Sequence, residues 1–339
     1  MDQTDQIKGL EVHQERSLWW DALVRLSRNR AAVTGAIIIL VILIAAVFAP
    51  MIAPKGFDEA NLRAPFAIPL WISRVFPNLK PMEEGGYTLI NNEYPLGADK
   101  LGRDVFSRIL YGARVSLLVA FIGPTVALIL GTIIGVTSGF LGGGVDNAIM
   151  RIADVMYAFP TLLFIILMLV YFRNSFRESS PGTFIFALGR LDASIGGLLF
   201  VFIGIGITSW MGNGRLARGQ VLSIRQTEYI AAARALGAST PRILFRHVMP
   251  NILGPMIIAE TLAIPAYISY EAFLSFIGLG VLPPTPSWGG MIAEGAQYIQ
   301  NYPYLTVFPA LALFIVMFAF NFLGDGLRDA LDPRMRGVD

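Results

Sequence analysis

Apolar residues in this chain neither alternate with polar ones nor keep to one helical face; they run on in long uncharged blocks. A helix needs about 20 mostly apolar residues to cross about 30 Å of hydrocarbon. Uncharged blocks of that order occupy 31–49, 115–140, 155–172, 193–211 and 304–324, and residues 252–280 add another whose only charges are Glu260 and Glu271. The pattern predicts an all-α membrane protein with six transmembrane helices. Residues 51–113 are too polar to enter lipid and are rich in Pro and Gly, which predicts an external insert of loops and short helices between the first two spans.

Within the blocks, Gly131, Gly135 and Gly139 recur every four residues and put one bare face on the second span. Such a face lets another helix approach closely, either as static packing or as a surface that slides. Pro124, Pro160, Pro265 and Pro309 interrupt apolar runs and predict bends. Ahead of the first block, Leu18, Trp19, Leu23 and Leu26 keep helical spacing while Arg25, Arg28 and Arg30 point elsewhere. That stretch reads either as an amphipathic helix in the inner membrane interface or as a solvated leader. About 30 residues before the first block are too many for a signal n-region, so the block is expected to stay as an anchor.

An even number of spans puts both termini on one side. Arg16, Arg25, Arg28 and Arg30 favour the cytoplasm, and Arg215, Arg218, Arg225, Arg234, Arg242, Arg246, Arg328, Arg334 and Arg336 then fall on the same side. The insert carries Lys55, Arg63, Arg74, Lys80, Lys100, Arg103 and Arg108 against this, but long loops weigh less in that rule. The chain divides into a cytoplasmic segment 1–30, a first span 31–50, the insert 51–113, a five-span core 114–326 with a cytoplasmic loop at 213–250, and a tail 327–339.

Composition narrows the chemistry. With 55% hydrophobic and 15% charged residues, and positive mean hydropathy, a soluble fold is excluded. A net charge of +2 gives no basic face for nucleic acid. There is no cysteine, and His13 and His247 lack metal-ligand spacing, so no metal site is expected. No Ser/His, paired-Asp or HExxH constellation lies in the spans, and neither a phosphate-binding GxxxxGK[ST] loop nor a GxGxxG after a strand is present. A membrane enzyme is therefore disfavoured, and no cofactor is expected in this chain. Neither the internal repeat of a secondary transporter nor the filter-like segments of a channel is evident.

The stretch EYIAAARALGASTPRILFRHVMPN, residues 228–251, stands out against these blocks. Thr227 and Glu228 suit a helix start, residues 229–236 are strongly helix-forming, and Gly237 ends the run. Thr240 and Pro241 suit a second start, and the second helix is expected to run from Arg242 to Met249 and stop at Pro250. The first piece, about 15 Å long, has little stability alone and must dock. Ala231, Ala232 and Ala233 leave a low surface, Tyr229 and Leu236 supply anchors, and Arg234 suits an acidic rim. The piece packs either on its own bundle or on a partner.

Ionisable groups inside spans face protein or water. Glu271 is the candidate for a translocation pathway, either lining a cavity or paired with a neighbour; Glu260 is expected to reach the cytoplasmic interface. Asp325, Arg328, Asp329 and Asp332 read as a charged exit from the last span, and Trp288 with Gly289 and Gly290 as an external turn carrying an interface aromatic.

The 228–251 stretch resembles the coupling loop of bacterial ABC importer membrane subunits: Glu-Ala-Ala, three residues, Gly, then nine residues before Ile-x-Leu-Pro. Ala231, Ala232, Ala233 and Gly237 fall in that register, followed by His247, Met249 and Pro250. Ala231 replaces the acid; His247 and Met249 replace the aliphatics. PLGADKLGRDVFSRILYGARVSLL (95–118), EAFLSFIGLG (271–280) and SWGG (287–290) resemble the dipeptide, oligopeptide and nickel permease family. RSLWWDALVRLSRNRAAV (16–33) and NFLGDGLRDALDPR (321–334) are similar to its oligopeptide C-type membrane subunit. The resemblance implies a type I importer permease in a bacterial inner membrane, moving short peptides, or else nickel or another small solute. It further implies a homologous B-type permease subunit, two cytoplasmic ATPase subunits that bind ATP and Mg, and an external substrate-binding protein.

Overall fold

The structure, a computed structural model, describes residues 18–331, with side chains from Trp20 onward. His13, Arg16, Asp332, Arg334 and Arg336, and the side chains of Leu18 and Trp19, lie outside the described part. Among the described residues the chain is helical, broken only by loops and isolated β-bridges.

Helix α1 (Leu18–Arg28) is amphipathic in place: Ala22 is buried and the helix lies against the last span, while Trp20 and Leu23 are exposed. Asn29 then caps α2 (Arg30–Val47) by accepting from the Ala32 amide. The insert holds only α3 (Ala49–Ile52), α4 (Leu70–Val75) and one 3-10 turn. It ends earlier than expected, because Asp104 caps α5 (Val105–Leu141) through the Ser107 amide at 2.7 Å. The polar residues that delayed the predicted start are satisfied inside the fold. Arg108 is ion-paired, and Arg114 donates to the terminal carbonyls of α2 at Ala46 and Val47.

Two of the predicted spans are not single straight helices. Helices α6 (Gly143–Tyr157) and α7 (Thr161–Glu178) meet at 83° across Pro160. Helices α8 (Phe184–Ser194) and α9 (Leu199–Arg225) meet at 97°, where Gly196 and Gly197 take φ of +72° and +79°. Among the described residues four helices are long and apolar enough to cross a membrane, or up to six spans if each bent pair counts as one. Helix α9 also overturns the start of the expected loop at 213: it continues to Arg225. Its arginines are held by acids on α6, Arg215 by Asp154 and Arg218 by both oxygens of Asp146 at 2.6 Å.

The glycine face of α5 does receive α9. A side chain at Gly131, Gly135 or Gly139 would run into Asn213, Gly214 and Arg218 respectively. Beyond α9 come α10 (Glu228–Ala235), α11 (Thr240–Ile243), α12 (Met249–Phe276), α13 (Trp288–Ala296) and α14 (Tyr304–Leu331). Leu117, Ile264, Val316 and Phe320 form the centre of one buried cluster, and Val119, Ile165, Val201 and Leu274 that of another. Ile37, Leu40 and Val41 of α2 and Phe314 and Phe318 of α14 remain exposed, as suits a lipid-facing surface.

Trp288 is not the interface aromatic expected. It is 1% exposed and donates from Nε1 to the Ile109 carbonyl, and bare Gly112 leaves it room. The insert closes over the same region. Phe66 stacks on Tyr302 at 4.1 Å, the Tyr87 hydroxyl donates to Asn301 O, and the Tyr304 hydroxyl donates to Ala98 O.

Candidate docking surface and buried carboxylates

The turn between α9 and α12 is built from local rules. Thr227 holds the extended N-cap conformation, but its hydroxyl donates back to Ile224 O instead of capping α10. At the other end Gly237 has φ +77°; its amide bonds Arg234 O and the Ala238 amide bonds Ala233 O. That pair of bonds is a Schellman motif, whose left-handed position glycine fills without strain. The second start differs from expectation by one residue: Ser239, not Thr240, is the N-cap, and its carbonyl accepts from Ile243.

Pro250 does not stop this second helix. Leu244–Val248 widens into a π-turn and runs directly into α12, so the chain is helical from Thr240 to Phe276. Proline has no amide to donate and its ring crowds the carbonyl four residues back. The widened turn supplies room for it.

Ile230 decides which way α10 faces. It is fully buried among Val136, Phe140, Val221, Ile243, Val248 and Ile252, with Ala233 partly covered beside it. Tyr229, Ala231 and Ala232 therefore lie on the exposed side, and Leu236 is 88% exposed. Phe245 on the π-turn, 74% exposed, extends the apolar patch. Arg234, Arg242 and Arg246 are exposed around it, with the Arg234 guanidinium over the Phe140 ring at 5.5 Å. Covering a Leu or Phe side chain stabilises by about 1.5–3 kcal/mol, so a patch of this kind suits an apolar groove with acidic edges. The structure brings the seven predicted residues of 229–237 onto one short element. It adds Ile230 and Phe245, whose signals were the Ile230–Ala233 spacing and an aromatic set between Arg242 and Arg246.

The two membrane carboxylates depart from expectation. Glu260 does not reach the interface. It is 5% exposed and accepts from the Asn213 amide of α9 and from the Tyr267 hydroxyl at 3.0 Å. Glu271 does not line an open cavity. It is fully enclosed, takes a 2.6 Å bond from the Ser275 hydroxyl, and its second oxygen has no partner among the described residues.

On the insert side, Asp99 accepts from Arg103 Nε at 2.6 Å and Arg108 at 2.7 Å, and Glu294 of α13 accepts from both arginines. Burial alone would raise the Glu294 carboxyl, but Arg108, with Arg103 and Lys100, holds it below the ordinary glutamate value. Among the described residues no group of three His, Asp or Glu side chains is placed to hold a metal ion.

Long apolar helices with an exposed, arginine-edged turn between two of them define a multi-pass membrane protein. The chain belongs to the family of binding-protein-dependent transport system inner membrane components, which it matches over residues 127–337. Residues 17–69 match the N-terminal TM domain of oligopeptide transport permease C. Relatives include the oligopeptide transport system permease protein OppC of Bacillus subtilis (strain 168), 38% identical over 94% of this chain and 91% of that protein. OppC of Haemophilus influenzae is 36% identical over 98% and 93%. The dipeptide transport system permease protein DppC of Alkalihalophilus pseudofirmus is 36% identical over 94% and 91%. The chain is thus a non-catalytic, multi-pass inner-membrane component of an ABC importer.

Proposed function

We propose that this chain forms half of the translocation pathway of an ATP-driven importer of short peptides. Likeness over nearly the whole chain to permeases named for oligopeptide and dipeptide transport supports the cargo. The observation that carries the mechanism is the outward face of α10. Tyr229, Ala231, Ala232 and Leu236 stand exposed while Ile230 fixes the element to the bundle and Gly237 ends it. In this reading two cytoplasmic ATPase subunits bind ATP and Mg and receive α10 in a groove. Their closure pushes on α10, and the push tilts the spans so that the pathway opens alternately to each side. A homologous B-type permease subunit supplies the other half, and an external binding protein delivers peptide. Both termini are cytoplasmic, since that puts the arginines around α10 on the ATPase side.

The test is uptake of a labelled tetrapeptide into proteoliposomes holding the complete complex and its binding protein, with and without ATP. ATP-dependent accumulation is expected. ATP turnover stimulated by the loaded binding protein without peptide uptake would move the cargo to nickel or another small solute. Uptake indifferent to ATP would overturn the reading.

A further inference from the structure

Glu260 is a buried carboxylate for which the docking surface gives no role. It stands in α12 and takes its bonds from Asn213 of α9 and from Tyr267, itself 4% exposed. Helices α9 and α12 are the two arms that the turn carrying α10 connects. At about 1.5 Å per residue, Asn213 lies about 18 Å from the end of α9 at Arg225, and Glu260 about 17 Å from the start of α12 at Met249. The arms are joined at the turn, by the cluster of Val221, Ile230, Ile243, Val248 and Ile252, then at nearly equal distance along each by Glu260, and beyond it by the apolar cluster that holds Val201 and Leu274. A third helix closes on the Glu260 joint, since Gly131 of α5 leaves its place to Asn213.

The polar joint differs from apolar packing in what it permits. Between spans an apolar contact is easily exchanged, because lipid tails and side chains are alike to it. A hydrogen bond to a buried carboxylate is directional, and separating the arms would strand both partners without water. We propose that Glu260 is a positioning residue that clamps α9 to α12, so that displacement of α10 moves both arms as one lever instead of spreading them. This rests on the ATP-driven import reading.

The chain has no cysteine, which allows a direct test. The complete complex carrying Asn213→Cys and Glu260→Cys is reconstituted, and labelled tetrapeptide uptake per ATP hydrolysed is measured before and after joining the thiols with a short membrane-permeant linker. Unjoined, the ratio should fall about tenfold, within the span known for mutations that modulate coupling between distant sites. The linker should restore it. Glu260→Gln should couple nearly as the unaltered complex does, because the amide oxygen still accepts from Asn213 and the amide NH2 can donate to the Tyr267 hydroxyl oxygen. Normal coupling in the unjoined variant, a deeper block after linking, or loss of coupling in an assembled Glu260→Gln complex would each overturn the lever. Absence of ATP-dependent uptake by the unaltered complex would instead remove the import reading beneath it.

Discussion

The insert end and the α10 end of this molecule present opposite surfaces. At the insert end Phe66, Tyr87 and Tyr304 are paired, Trp288 is sealed, and Asp99 and Glu294 each accept from Arg103 and Arg108. At the other end the turn buries Ile230 but leaves Leu236 and Phe245 in the open beside three exposed arginines. The insert end is tied down by polar and aromatic contacts within the chain; the α10 end, in the reading proposed above, is completed by a partner. Mutations at the first should cost stability, and mutations at the second should cost transport.

The largest effect is expected from Gly237→Pro. Proline holds φ near −65°, whereas Gly237 needs +77° to close the Schellman bonds that end α10. The fold has space at that point, with nothing within 4 Å of an added Cβ, so the bundle should still assemble. Peptide uptake by the reconstituted complex should fall at least about tenfold while ATP hydrolysis continues. Normal uptake would count against the turn as a coupling element.

Next comes Arg108→Ala, at the insert end. The guanidinium is 5% exposed and serves both Asp99 and Glu294. Removing one partner of a buried ion pair costs about 3–5 kcal/mol. The prediction is a clear drop in thermal stability in detergent, with uptake per ATP unchanged in the protein that remains folded. An unchanged melting temperature would show that the insert end is not held by this cluster.

Leu236→Ala should do the reverse. At 88% exposure the side chain contributes little to the isolated fold, so stability should stay put. Losing an apolar anchor from a groove costs about 1.5–3 kcal/mol, and the affinity of the reconstituted permease for its ATPase subunits should weaken accordingly in a titration. Ile230→Ala serves as the internal contrast. It opens a cavity in the buried cluster at a cost of about 2–5 kcal/mol and should lower the melting temperature instead.

How far the sequence made this contrast legible depends on what hides charge. Lipid demands long uncharged runs, so α2, α12 and α14 were visible in the pattern. Helices α5 and α9 extend past their apolar blocks because their arginines find acceptors far off in sequence; Asp146, for one, lies 72 residues from Arg218. A tally of charges reads each as exposed and ends the helix there. The bend at Gly196 and Gly197 was hidden for the opposite reason: glycines pass for apolar residues inside a span. Gly237 was readable as a corner because its role is local. The facing of α10 was not, since it depends on Val136 and Ile252 from other helices. Glu260 was misplaced because its partner, Asn213, fell within the supposed loop.

The smallest predicted effect tests the insert end by pH. The Glu294 carboxyl is held below its ordinary value in the folded protein. A depressed carboxylate contributes stability that is fully present above its unfolded value, about 4.3, and is lost as pH falls through the folded value. The Glu294 contribution to the melting temperature should therefore be flat from neutral pH down to about 5 and then decline as the Arg103 and Arg108 pairs lose their carboxylate. The contribution is modest because the Glu294 side chain is 39% exposed and water screens the pairs. Glu294→Gln should flatten that part of the decline, whereas Leu236→Ala should leave the curve as it was. A decline identical in all three proteins would assign the acid sensitivity elsewhere and leave the insert end resting on its aromatic contacts.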